Sequence, residues 1–72
     1  MKTFGTHLGN DIVWEDSKNH QFITWDNDQT FRVYKTPYVF GHIMEVFSIC
    51  VSKDLWEHDE DVFLSKLADL ST

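Results

Sequence analysis

The sequence predicts a small α+β domain: a three-stranded antiparallel meander packed against two C-terminal helices, in the order βββαα. Three observations predict it. The first half alternates apolar and polar residues between clusters of turn formers. One long apolar run, Thr36 to Trp56, carries helical spacing. A second apolar stripe follows a dense acidic segment that reads as a helix start. Seventy-two residues suffice for one domain, spanning residues 1–72. So short a chain buries a modest share of its surface.

Residues 1–10 contain Gly5, Gly9 and Asn10 and few apolar side chains; Phe4 and Leu8 are expected to add a short edge strand or to pack down. Residues 12–15 are a brief apolar run, closed by the turn formers Asp16, Ser17, Lys18 and Asn19. Residues 20–25 read as a strand with Gln21, Ile23 and Trp25 on one face and His20, Phe22 and Thr24 on the other. A second turn covers Asp26 to Gln29. Residues 30–35 form the next strand, with Phe31 and Val33 on one face and Thr30, Arg32 and Tyr34 opposite. Tight connections of this kind give an antiparallel meander with one face free to take a helix.

The central run supports two templates. As a helix over 42–56, it places Ile43, Val46, Phe47, Cys50 and Val51 on one buried face. Glu45, Ser48 and Ser52 then face away, and Thr36 with Pro37 supplies an N-cap and first helical position. As a strand, the run has the right β-branched and aromatic content. Glu45 and Gly41 interrupt its alternation, however, and it is long beside the usual strand of roughly 5–6 residues. The helix is the preferred expectation. The last segment is expected to be helical too, capped by Asp59, with Glu60 and Asp61 in its first turn and Val62, Phe63, Leu67 and Leu70 as its apolar stripe.

Composition narrows the function classes. Cys50 is the only cysteine, so no intramolecular disulfide forms. On the helical reading it is buried and acts as a small hydrophobe. Lacking a disulfide framework and an apolar leader segment, the chain is expected to be cytoplasmic. No apolar run reaches the roughly 20 residues that cross a membrane as a helix. The formal net charge of −6, with six Lys and Arg, disfavours direct contact with nucleic acid. It favours basic partners instead. Aromatics make up 15% of the chain, enough to supply an interface as well as a core.

No catalytic motif is present: no nucleophile elbow, phosphate loop or dinucleotide fingerprint. Cys50 and His42 stand eight positions apart, too far for a pair on neighbouring helical turns. The protein is therefore not expected to be an enzyme, and no cofactor is expected. Asp26-Asn27-Asp28 begins like a calcium loop, but the positions that need Gly and Glu hold Phe31 and Pro37. His7, His20, His42 and His58 are scattered without metal-ligand spacing.

The candidate site is the acidic segment. Asp54, Glu57, Asp59, Glu60 and Asp61 are five acids in eight residues, with Trp56 among them. A second acidic group comprises Asp11, Glu15, Asp16, Asp26 and Asp28. The plain account is that turns and helix starts favour Asp and Glu. The functional account is a negative surface that imitates the charge of a nucleic-acid backbone, with Trp56 as a desolvated anchor. On that account the partner-binding residues are Asp54, Trp56, Glu57, Asp59, Glu60, Asp61, Asp26 and Asp28. In size, charge and aromatic content the chain is similar to phage-encoded inhibitors of host enzymes and defence systems, a likeness of type that assigns no residues. The expected function is a small acidic protein-binding module, an inhibitor of phage or mobile-element type. Its expected partner is a basic protein, a nucleic-acid-binding enzyme or complex. Two alternatives differ in class: an assembly module forming a homodimer or larger homo-oligomer through exposed aromatics, and a small-molecule binder with a pocket between sheet and helix.

Overall fold

A computed structural model describes residues 3–26, 29–36, 43–51 and 59–70. Five strands form one antiparallel sheet in sequence order: β1 (Thr6–His7), β2 (Asn10–Asp16), β3 (Gln21–Trp25), β4 (Thr30–Lys35) and β5 (Met44–Cys50). A helix, α1 (Glu60–Leu70), follows. The expected three strands and two helices are thus corrected to five strands and, among the described residues, one C-terminal helix.

The largest correction falls on the central run. Residues 44–50 of the expected helix are strand β5, paired antiparallel with β4 from Thr30↔Cys50 to Lys35↔Met44. Its β-branched and aromatic residues fit a pleated, half-buried surface. Phe47, Ile49 and Val51 pack on the core, while Ser48 and Cys50 point outward. Glu45, which breaks the alternation in the sequence, is re-phased by a β-bulge. Val33 pairs with Phe47, but Tyr34 pairs with Glu45, leaving Val46 as the extra residue. Thr36 does not leave the sheet either: its amide donates to the His20 carbonyl at 2.9 Å, continuing the β3–β4 ladder. Cys50, expected on a buried helical face, is exposed.

The meander itself has the expected faces. Ile23, Trp25, Phe31 and Val33 lie on the core side, with Ile23, Phe31 and Val33 fully buried. A second bulge in β2, between Ile12 and Trp14, lets both Val13 and Trp14 reach the core. The helix covers this face. Leu64, Leu67 and Ala68 are buried, and the Phe63 ring meets Phe31 edge-on at 5.4 Å. Of the expected stripe Val62, Phe63, Leu67 and Leu70, Phe63 and Leu67 lie on the core side, while Val62 and Leu70 are exposed. Leu64 and Ala68 take their places. Helical phase follows the face that can reach Phe31 and Ile23. Asp59 holds its expected place before the helix, its carbonyl accepting from the Phe63 amide at 3.0 Å.

The opposite face is polar and aromatic. His7, Phe22 and Tyr34 form a ring cluster, with centroids 4.7–5.2 Å apart. His7 comes from β1 but reaches side chains on β3 and β4, so the β1–β2 hairpin curls over this face. The bulge in β2 adds the bend that allows it. The hairpin turns through Leu8 and Gly9, whose φ angles are 52° and 84°. Two positive values in a two-residue loop make a type I′ turn. A non-glycine residue held in the left-handed region costs about 1–2 kcal/mol.

Candidate functional site

The registers show which acids come together. The β1–β2 and β3–β4 turns lie at one end of the sheet, since Asp11 pairs with both Thr6 and Trp25. Phe31, the second residue of β4, lies at that end, and Phe63 in the first turn of α1 packs against it. Asp11, Asp26, Asp59, Glu60 and Asp61 therefore gather at the same end. Glu15 and Asp16, grouped with Asp11 and Asp26 in the sequence, belong to the opposite end, at the β2–β3 turn. Lys18 and Lys35 are there too. Arg32 reaches this end through its ion pair with Asp26.

Arg32 is already bound. Its guanidinium holds Asp26 Oδ2 at 3.1 Å and Glu45 Oε1 at 2.9 Å. These bonds, Glu45 first and Asp26 second, fix its proton more firmly than usual. Asp26 is 9% exposed and its other oxygen accepts from the Thr30 amide at 3.1 Å. A carboxylate so placed closes the β3–β4 turn and ties it to β5. It offers little surface to a partner, so Asp26 moves from the expected docking set to the internal structure.

Asp59 and Asp61 are exposed and Glu60 is half-buried. Among the described residues no ion pair engages any of the three. They stand at the N-terminal end of α1, whose dipole complements acidic side chains. Asp11, exposed on β2, joins them. Asp28, Asp54, Trp56 and Glu57, together with His42 and His58, lie outside the described residues.

At the opposite end a hollow of about 200 Å³ opens beside the β2–β3 turn, walled by Asp16, His20, Gln21 and Phe22. It is not between sheet and helix, where a ligand pocket was expected. It is also below the roughly 300–1,000 Å³ of a small-molecule site. Asp16 has a structural task there. Asn19 Nδ2 donates to its Oδ2 at 2.6 Å, and the Lys18 and Asn19 amides donate to its Oδ1. The Asn19 side chain is the main reason its carboxyl titrates below the ordinary aspartate value. A depressed folded value means this turn is stabilised above the unfolded pKa, and that the gain is lost as pH falls through the folded one. Removing Asn19 is expected to raise the Asp16 midpoint toward that of an unstructured peptide, read by NMR titration of the carboxyl carbon. An unchanged midpoint in Asn19→Ala would show that the backbone amides alone set it.

No cluster of three or more metal-ligating side chains occurs among the described residues. No helix among them is long and apolar enough to cross a membrane. Comparison with protein-family models, with curated proteins and with solved structures found no match to this chain.

Proposed function

We propose that the protein is a binding module whose acidic end docks on a basic, nucleic-acid-handling protein, where its carboxylates take the place of backbone phosphates. One observation carries this reading. Asp11, Asp59, Glu60 and Asp61 collect at one end of the sheet, and the Arg32 charge that reaches this end is bound by Asp26 and Glu45. A concentration of carboxylates at one end would steer a basic partner there. An inhibitor of phage or mobile-element type would act in this way, by occupying the partner's phosphate sites.

The test uses Glu60→Gln with Asp61→Asn and leaves the cap at Asp59 intact. Proteins captured from source-cell extract by the wild type are re-measured for association rate at low and high salt. The double variant is expected to associate more slowly and with a shallower salt slope, since charge acts over roughly 8 Å at physiological ionic strength. Equal rates and slopes would leave these acids as a solvated helix start.

The assembly alternative also has an observation in its favour. Met44 and Val46 on β5, the last strand of the sheet, and Ile43 just before it are exposed. Exposed apolar residues on such a strand invite pairing with another chain. They are aliphatic, and Phe4 is the exposed aromatic among the described residues. A mass that rises with concentration in the absence of any partner would favour it.

A further inference from the structure

The hollow beside the β2–β3 turn has in its wall a polar group that the fold leaves unused. Gln21 is 7% exposed, and its Oε1 is buried with no hydrogen-bond partner. Buried acceptors in native proteins are nearly always paired, so an orphan points to a donor from outside the chain. Turning the amide round does not satisfy it. The Gln21 side chain also hydrogen-bonds the Asp16 carboxylate. A carboxylate only accepts, so Nε2 faces Asp16 and the oxygen is the end left over. Asp16 and Gln21 both line the hollow, which puts the amide end of Gln21, and not only its stem, at the wall.

The rest of the wall says what kind of donor fits. Glu15 brings a carboxylate, Ser17 and Thr36 bring hydroxyls, and Phe22 brings an apolar ring. Lys18 and Lys35 stand at this end, yet neither lines the hollow, and among the described residues neither pairs with Glu15 or Asp16. A bare metal ion is the poorer occupant, because both Asp16 oxygens already accept N–H groups from the turn. The volume is about 200 Å³. At roughly 30 Å³ per water in the liquid, that is room for a head group of several heavy atoms. We propose that the hollow is a binding site for a small organic cation with N–H donors, an alkylguanidinium or alkylammonium head group, which donates to Gln21 Oε1 beside the Glu15 carboxylate. Glu15 is exposed, so its charge attracts cations with little selectivity. The buried acceptor selects those that carry an N–H. This site is at the other end of the sheet from the acidic end and is independent of that reading.

The test titrates the protein with methylguanidinium, methylammonium and tetramethylammonium at fixed ionic strength and follows amide shifts by NMR. Tetramethylammonium has the charge but no N–H. The two donor-bearing cations are expected to bind in about the millimolar range and to move the signals of Glu15 to Phe22 and Thr36, with the Gln21 side-chain amide among them. The tighter of the two identifies the head group. Tetramethylammonium should bind at least about tenfold more weakly, the scale of one hydrogen bond to a charged group. Gln21→Met keeps the length of the side chain and removes the acceptor. It should erase the preference for N–H cations and leave the melting temperature near that of the wild type, since an unpaired buried acceptor contributes nothing to the fold. A merely structural role for Gln21 makes the reverse prediction, a lower melting temperature with the preference intact. Glu15→Gln, at an exposed position, should weaken all three cations alike and keep the preference. Equal binding of all three by the wild type, shifts that do not centre on the hollow, or a preference that survives in Gln21→Met would each overturn the proposal. Should Gln21→Met fail to fold, the wild-type preference and shift map decide it alone.

Discussion

Phe31→Ala is expected to destabilise the fold by about 3–5 kcal/mol, the range for removing a buried phenyl ring. Phe31 is fully buried at the meeting point of three elements. Its ring lies 4.5 Å from Trp25 on β3 and 5.4 Å from Phe63 on α1, and its register partner on β5 is Ile49. Truncation removes the ring's own burial and opens a cavity that rigid strands on both sides cannot close. At about 0.05–0.15 kcal/mol per residue, a chain of this length has roughly 4–11 kcal/mol in total. The variant should therefore lose much of its cooperative urea transition, with the midpoint moved far toward zero at 25 °C. Phe47, one of the five residues the helical reading buries, is only half-buried and should cost less when truncated. A Phe31→Ala protein with the wild-type midpoint would mean that the core is centred elsewhere.

What the sequence made legible follows from how local each signal is. The first three strands of the expected meander are present with their expected faces, because alternation and turn residues are set within five or six neighbours. Ile23 and Trp25 against Phe31 and Val33 is a pattern that needs no knowledge of the rest of the chain. Strand β5 was hidden by one residue. Glu45 falls where alternation demands an apolar side chain, and the bulge at Val46 that excuses it is decided by pairing with β4. The register was invisible until the partner strand was known. Cys50 went astray by the same error: spacing of three and four buries it on a helix, whereas alternation with Ile49 and Val51 turns it outward.

The candidate site was partly legible for a similar reason. That Asp59 precedes a helix is a local matter and is found in place. That Asp26 is consumed internally depends on Arg32, six residues on, and on Glu45, thirteen beyond that. The grouping of Asp11 with the helix start depends on the sheet order alone. Leu8, expected to add an edge strand or pack down, is instead exposed in the β1–β2 turn.

The helix offers a sharper test, because two aliphatic positions two residues apart should behave in opposite ways. Leu64→Ala is expected to cost about 2–5 kcal/mol, while Val62→Ala stays within about 0.5 kcal/mol of wild type. Leu64 is fully buried beside Ile23, Phe31 and Val33, whereas Val62 is 47% exposed. Leu67 and Ala68 continue the buried side one turn on, so α1 has a single phase that satisfies the sheet. Losing Leu64 leaves the core face of β3 and β4 without its central cover, and two-state unfolding should report this as a lower midpoint with an unchanged m-value. Helicity alone would hardly change the outcome, since Leu and Val differ from Ala by less than about 1 kcal/mol in propensity. The expected sequence stripe, with Val62 inward, makes the reverse prediction. If Val62→Ala proves the more damaging substitution, the helix is docked through its other face and the position of Asp59, Glu60 and Asp61 over Phe31 falls with it.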